Sequence, residues 1–298
     1  MFADIELSIG DDDINYPGKQ GLIYHNASGS WKDNGTDESK RLLFNMAYDN
    51  NVETEWKNKA IGWLNNIGYP SYIPYEGDAE KYKFPFPGIE KITNNYARHY
   101  QDMFVLFMAQ GKKNGTYIEI GSADPEYGSN TKLLESKFDW KGVGIEILQD
   151  EVIKHNNSRK NPVICKNALE IDYQELLTQK AKEFDNNGFF DYLQVDCEPP
   201  SVSFEILKMI PFDEFKFGVV TFEHDYYADL TKSIREESRA FMRSKGYILV
   251  IGNVSMNDDC PYEDWWVHKD YKASSLIMKI LNDDSQVVNM EKFMFQHK

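Results

Sequence analysis

Two acidic clusters follow two apolar runs. Asp196-Cys197-Glu198-Pro199-Pro200 comes after the run at 190–195, and Glu223-His224-Asp225-Tyr226-Tyr227 closes the run at 217–223. If these runs are neighbouring parallel strands, four carboxylates and one imidazole meet at a single sheet edge. Carboxylates crowded in this way shift one another's pKa and can supply a general base or an oxygen-rich metal site. Asp196, Glu198, Glu223 and His224 are therefore the catalytic candidates. Asp196 and Glu223 are also the candidate ligands of a divalent cation such as Mg. The plainer alternative is a salt-bridge network with arginines such as Arg235 or Arg239.

A second constellation stands earlier in the chain. Glu119-Ile120-Gly121-Ser122-Ala123-Asp124-Pro125 leads through Ser129-Asn130-Thr131 into a helical pattern. A glycine directly after a strand permits a tight turn and close approach of a ligand, although a tight βα turn needs no ligand. Glu146 ends the next strand, one β-α-β step on, where an acid can accept both hydroxyls of a ribose. Ile147 adjoins it, and Cys165-Lys166-Asn167-Ala168 ends the strand after that, where a nucleoside base would lie. A plain turn explains that last segment as well. The dinucleotide pattern G-x-G-x-x-G fails, because positions 121, 123 and 126 hold Gly, Ala and Glu. Asp124 and Glu126 would also repel a pyrophosphate. S-adenosylmethionine has no phosphate and carries a sulfonium and an ammonium, which suit an acidic loop. Its candidate contacts are Glu119, Gly121, Ser122, Ala123, Asp124, Ser129, Asn130, Glu146, Ile147, Asn167, Ala168 and Asp196.

The elements that must position these residues follow from periodicity. Strands are predicted at 116–120, 142–147, 162–165, 190–195, 217–223 and 246–251, with helices near 130–138, 149–157, 172–185, 202–210 and 230–245. Such alternation means a mostly parallel sheet covered on both faces, with ligands beyond the carboxyl ends of its strands. Upstream, roughly the first 35 residues are polar and Gly-rich, helical spacing covers 37–50 and 52–67, a Pro- and Tyr-rich connector runs over 70–88, and a helix is predicted over 89–110. The domains are thus an N-terminal extension at 1–88, a candidate cap or dimer element, and a catalytic domain at 89–298. Trp265 and Trp266 in a strand point to opposite faces, so one is core and the other is a candidate stacking surface for a sugar or a partner.

Composition sets outer limits. The chain has 298 residues, enough for two domains or one elaborated one. A net charge of −15 makes nucleic acid an unfavourable partner. No apolar run reaches membrane-spanning length, and Met1-Phe2-Ala3-Asp4-Ile5-Glu6 does not open like a secretory signal. Cys165, Cys197 and Cys260 are scattered and odd in number, so neither disulfides nor a zinc set is expected, and a cytoplasmic protein is the simplest reading.

Taken in order, these segments resemble the FkbM-type family of S-adenosylmethionine-dependent methyltransferases. The resemblance begins at Tyr100-Gln101-Asp102-Met103-Phe104-Val105. It continues through Glu119-Ile120-Gly121, Asp124-Pro125, Ser129-Asn130-Thr131, Leu134-Glu135 and Trp140-Lys141-Gly142 to Ile145-Glu146. Asp191 to Glu198, then Thr221 to Tyr226, Arg239 and Gly246-Tyr247 complete it, over about residues 95–268. It implies a Rossmann-like class I methyltransferase fold, a seven-stranded, mostly parallel sheet with a reversed last strand, and O-methylation of sugar-like hydroxyls. The chain departs from the family where Pro199-Pro200 replaces a glycine, and the first 90 or so residues have no counterpart.

The expectation is an S-adenosylmethionine-dependent O-methyltransferase acting on a small-molecule or saccharide acceptor. Asp196 or His224 is its base, or a metal held by Asp196 and Glu223 lowers the hydroxyl pKa. A homodimer is compatible with it; nucleic acid and membrane partners are not expected. The rivals are a non-catalytic binding or scaffold module and an NAD-dependent oxidoreductase.

Overall fold

The computed structural model describes residues 77 and 79–296, apart from 228, 230, 256–260, 272–273 and 283–285. The helices expected at 37–50 and 52–67 lie outside the described residues, as does Cys260. The chain divides into two units, and the described residues all belong to the second, Tyr72–Lys298.

Helix α1 (Gln101–Ala109) precedes an alternation of strand and helix. It runs β1 (Thr116–Ile120), α2 (Lys132–Phe138), β2 (Lys141–Glu146), α3 (Gln149–Ser158), β3 (Val163–Cys165), α4 (Tyr173–Phe184), β4 (Phe189–Val195), α5 (Pro200–Met209), β5 (Lys216–Glu223) and α6 (Ile234–Ser244). Strands β6 (Tyr247–Ser255) and β7 (Pro261–His268), helix α7 (Ser274–Ile280), strand β8 (Val288–Asn289) and helix α8 (Met290–Met294) complete it. All six predicted strands are present, and each of the five helices predicted between them is found with ends moved by a few residues.

The sheet order is β3-β2-β1-β4-β5-β7-β6-β8. Strands β1 to β5 pair in parallel, and β7 inserts antiparallel between β5 and β6. The sheet therefore has eight strands rather than seven; it is mostly parallel, and β7 is its one reversed strand among the described residues. The added strand, β8, is only two residues long and pairs with the end of β6, too short to carry a period-two signal. The order reverses between β1 and β4, so the crevice expected to take ligands opens between Gly121 and Asp196.

Alternation along each strand divides the core in two. Tyr117, Tyr192, Val219 and Trp265 face one side, with α1, α7 and α8. Ile118, Leu193, Val220 and Trp266 face the other, with α4, α5 and α6. Trp265 and Trp266 are both fully buried, one in each core, so neither is the stacking surface that the sequence allowed. Trp265 instead packs on Phe104 of α1, ring centroids 4.6 Å apart.

The long helix predicted over 89–110 is corrected. A short 3-10 turn at Ile89–Lys91 is followed by irregular backbone, and α1 starts at Gln101. The reason is Asp102. Its buried carboxylate accepts from the N–H groups of Tyr96 (2.8 Å), Ala97 (3.1 Å) and Met103 (2.8 Å), and Tyr100 adopts φ +67°. This side chain draws the preceding segment into a turn, against its apolar spacing. Gln101 beside it donates to Glu263 Oε2 of β7 at 3.0 Å, tying α1 to the far half of the sheet.

Candidate functional site

The turn after β1 is shaped from within. Gly121 has φ +82°, and a β-carbon there would lie 1.6 Å from the carbonyl oxygen of Asp196. The close approach that calls for glycine is thus that of β4 to β1, not only that of a ligand. Ser122 lies over Gly144 of β2. Ala123 has φ +48°, and its N–H donates to Glu146 Oε2 at 2.9 Å, while Leu148 N–H donates to Glu146 Oε1 at 2.8 Å. Glu146 therefore pins the turn to β2 and keeps further lone pairs on each oxygen. Asp124 Oδ1 accepts from the N–H groups of Glu126 and Tyr127, each at 2.9 Å, and Glu126 pairs with Lys132 at 3.0 Å. Much of the loop's acidity is spent inside the loop, which weakens the charge argument against a pyrophosphate.

Ser129 Oγ accepts from Lys132 N–H (3.2 Å) and from Arg159 Nη1 (3.2 Å), so it organises the start of α2. Arg159, which sequence reading did not single out, is buried. It also donates to Pro125 O at 2.9 Å and to Thr131 Oγ1 at 3.1 Å, and pairs with Glu135 at 3.1 Å. Thr131 Oγ1 in turn lies 3.0 Å from both oxygens of Glu119. Burial pushes Glu119 up to about 7, against the lowering effect of Arg159 and Thr131. The β1 acid thus sits beneath the turn as expected, in contact with Thr131.

At the end of β3, Asn167 Oδ1 accepts from Leu169 N–H at 3.0 Å and caps a 3-10 turn, and Ala168 O accepts from the Tyr173 hydroxyl at 3.0 Å. The plain-turn reading accounts for this segment. Ile147 is well exposed beside it.

Asp196 and Glu223 follow register partners, Val195 and Phe222, on adjacent strands, and their side chains share a hydrogen bond. Burial raises both pKa values. Asp225 and their mutual repulsion add to the rise, so the pair shares protons as a unit. Glu198 is exposed. Pro200 opens α5 at a position where its missing N–H costs nothing, and the Ser203 hydroxyl closes the turn on Cys197 N–H and O, each at 2.7 Å. That is the structural role of the Pro-Pro departure.

His224 is placed differently from the expectation. It is fully buried, its Nδ1 accepts from Tyr226 N–H at 3.1 Å, and its Nε2 faces Asp264 Oδ1 at 3.5 Å. Nδ1 is engaged, Nε2 makes no hydrogen bond, and the ring is fully buried against Asp264. Arg239 and Arg235, the alternative partners for the acidic cluster, are engaged elsewhere: Arg239 on Asp264 at 2.7 Å, Arg235 on Asn253 at 3.0 Å. Among the described residues no group of three His, Cys, Asp or Glu side chains is placed to hold a metal ion. The expected Mg site on Asp196 and Glu223 is thus unsupported, because the two carboxylates bond to each other instead of diverging around an ion.

Among the described residues, the buried side-chain atoms without a hydrogen-bond partner are Glu151 Oε2, His155 Nδ1, Arg159 Nε, His224 Nε2 and Trp266 Nε1, together with Ser122 Oγ, Asn130 Oδ1, Gln194 Oε1 and Asp225 Oδ1. The last four lie on β4 or on the loops that follow β1 and β5. Gln194 and Asp225 were not among the sequence candidates. Gln194 had a signal, a polar side chain inside an apolar strand; it is the register partner of Glu119 on one side and of Thr221 on the other. A separate cavity, lined by Thr178, Lys182, Asp185, Asn187, Glu214 and Phe215, sits by the starts of β4 and β5 and touches none of the candidates.

No family model and no curated protein matches the chain. Solved structures similar to it include a putative rRNA-methylase from Clostridium thermocellum (12% identity over 59% of this chain and 99% of that one, TM-score 0.40). The plantazolicin methyltransferase BpumL in complex with SAH is another (11% identity, 83% and 99%, TM-score 0.41), and human methyltransferase-like protein 13 in complex with SAH a third (12% identity, 61% and 86%, TM-score 0.38). At such scores the likeness says nothing about activity, which has to be read from this chain's own residues. Among the described residues no helix is long and apolar enough to cross a membrane.

Proposed function

We propose that this chain is an S-adenosylmethionine-dependent methyltransferase that acts on a hydroxyl of a sugar-like or other small acceptor. The observation that carries the reading is the set of unpartnered buried polar atoms Ser122 Oγ, Asn130 Oδ1 and Gln194 Oε1 at the carboxyl ends of β1 and β4. Buried polar atoms are ordinarily satisfied. Here they adjoin the carboxylates of Glu119, Glu146, Asp196 and Glu223, so the missing partner is cationic and rich in N–H or O–H donors. A nucleoside sulfonium with an amino-acid tail fits that description, and the ordered run of FkbM-like motifs supports it.

Glu146 would accept the ribose hydroxyls on the lone pairs that Ala123 and Leu148 leave open. Asn130 and the Gly121–Ala123 backbone would face the amino-acid tail, with the Glu119 charge beneath. When bound, S-adenosylmethionine supplies a methyl group activated on sulfur. Asp196 would take the proton of the acceptor hydroxyl. Its raised pKa brings it nearer neutrality than an ordinary aspartate, which favours a general base. Glu223 would orient Asp196 through their shared hydrogen bond. His224, fully buried against Asp264, is less accessible to an acceptor than Asp196.

The test pairs S-adenosylhomocysteine and NAD calorimetry on wild type and Asp196→Asn, followed by turnover on hydroxylated acceptors. Expected are S-adenosylhomocysteine binding in both proteins, no NAD binding, and turnover reduced about 10²–10⁴-fold in the variant. Binding of NAD alone would favour the oxidoreductase, and binding of neither ligand would favour a scaffold.

A further inference from the structure

A third carboxylate adjoins the Asp196–Glu223 pair. Asp225 is only 2% exposed, its Oδ1 has no hydrogen-bond partner although Glu223 and Tyr227 engage the carboxylate, and its charge acts on both Asp196 and Glu223. The backbone holds it there: Asp225 N–H donates to Tyr262 O at 2.9 Å, its carbonyl accepts from Asp229 N–H at 2.8 Å, and its φ is +40°. Neighbouring cations are turned to other partners. Lys232 donates to the carbonyls of Tyr226 and Tyr227, and Arg235 stacks on the Tyr226 ring at 3.8 Å. Arg98 offsets part of the charge at Asp196.

A buried acceptor without a donor is costly, and like charges held together add to that cost. Sites that keep such a cost commonly bind something that relieves it. A metal ion does not suit the carboxylates, since no three of the described acidic, His or Cys side chains converge on a point. A protonated amine does suit them: its N–H groups diverge, and each reaches a separate oxygen at about 2.8 Å. A sulfonium has no N–H to give. The ammonium of the proposed cofactor is assigned to the β1 turn, beside Glu119 and Asn130.

The geometry points to an acceptor that carries a protonated amine close to the group it offers for methylation, the ammonium docking on Asp225 and Glu223. The amine would supply the donor that Asp225 Oδ1 lacks and leave Asp196 facing the neighbouring hydroxyl. Amino sugars and amino alcohols are the substrate class. The inference rests on the methyl-transfer reading for calling this ligand the acceptor; the cation site itself does not depend on it.

The test uses the full chain loaded with S-adenosylhomocysteine and titrated with ethanolamine, with ethylene glycol as the uncharged counterpart, at constant ionic strength. Asp225→Asn is the variant; asparagine tolerates positive φ, and removing a charge from crowded carboxylates should leave the fold intact. Expected are a rise in melting temperature with ethanolamine and none with ethylene glycol. Ethanolamine affinity should fall at least tenfold in Asp225→Asn while S-adenosylhomocysteine affinity is unchanged. Equal responses to the two probes, or an undiminished response in the variant, would overturn the amine site. Ethanolamine that displaces S-adenosylhomocysteine would overturn the acceptor assignment, because the cation site would then be the cofactor's. If wild type fails to bind S-adenosylhomocysteine, the methyltransferase reading fails, and the same titration without it decides the amine site by the same criteria.

Discussion

The carbonyl oxygen of Asp196 occupies the space that a β-carbon on residue 121 would need, 1.6 Å from where that carbon would stand. Strand β4 closes on β1 at this point, with Asp196 N–H donating to Ile120 O at 3.0 Å. Glycine at 121 thus fixes the position of the proposed base. Gly121→Ala forces apart two hydrogen-bonded strand ends and places alanine at φ +82°. It should destabilise the protein by about 3 kcal/mol or more, read as a lower urea midpoint. A loss within ~0.5 kcal/mol, the range of an unconstrained surface change, would mean that the contact is softer than the structure has it.

Glu146 links two functions that should separate by substitution. Its two oxygens each hold one backbone N–H of the loops around them. Glu146→Gln keeps one acceptor oxygen, and Glu146→Ala keeps none. Hydrogen bonds to a charged acceptor contribute about 1.5–3 kcal/mol each. S-adenosylhomocysteine affinity should therefore fall about tenfold or more in Glu146→Ala, with Glu146→Gln in between. Calorimetry on the three proteins decides it. Unchanged affinity in Glu146→Ala would remove the ribose assignment.

The sequence disclosed the sheet more fully than the site. Strand β1 carries TYIEI between breakers, and its predicted and observed ends coincide at Thr116 and Ile120. Period-two alternation needs only local information, so Tyr117 and Ile118 announce their opposite faces unaided. Glu119, Glu146, Asp196 and Glu223 were visible because an acid at the end of an apolar run stands out. What stayed hidden depends on contacts distant in sequence. Asp102 acquires three backbone donors only when the chain turns back on it, and nothing in the apolar spacing of 89–110 registers that. His224 read as a candidate base because its sequence neighbours are acids; Asp264, its inward partner, comes from β7. Asp124 and Ser129 read as ligand contacts, yet each also satisfies its own loop.

Buried acids, Glu263 and Glu119 among them, should govern stability above neutrality. Burial pushes Glu263 up to about 8 and Glu119 up to about 7. Each is protonated in the folded chain at pH values where an unfolded carboxylate has already lost its proton. That contribution is complete below the ordinary carboxylate range and is lost as pH rises through the folded value. His99 and His155 are pushed down by burial to about 3 and about 4. Their effect runs the other way and is spent once pH passes the unfolded imidazole value, near ~6.5. Between about pH 6.5 and 8 the acids dominate, and stability should fall by up to about 1.4 kcal/mol per pH unit for each proton lost. Glu263→Gln can still accept from Gln101 and from Trp265 Nε1, which lies 2.6 Å from Glu263 Oε2. It should fold and show a flatter fall in melting temperature over that range. An equal slope in both proteins would place the linkage elsewhere.

Arg239 and Asp264 form the buried ion pair behind the site, and its energetics are separable from catalysis. Asp264 is fully buried and accepts from Arg239 Nε at 2.7 Å, from Arg239 Nη2 at 2.9 Å and from Asn253 N–H at 2.9 Å. Burial alone would raise its pKa; Arg239 and His224 hold it well below the carboxylate range. Removing one partner leaves an uncompensated buried charge, which typically costs about 3–5 kcal/mol, whereas removing both costs much less. Arg239→Ala should therefore lose about 3–5 kcal/mol at pH 7, and Arg239→Ala with Asp264→Asn should recover a substantial part of that. Because the folded pKa of Asp264 is depressed, the stability it brings is present above the unfolded value and is lost as pH falls through the folded one. The gap between wild type and Arg239→Ala should narrow as pH drops below about 4. Urea titrations of the two single variants, the double variant and wild type at pH 7 and pH 3.5 complete the cycle. Additive losses would show that Arg239 stabilises the chain through its packed stem rather than through Asp264.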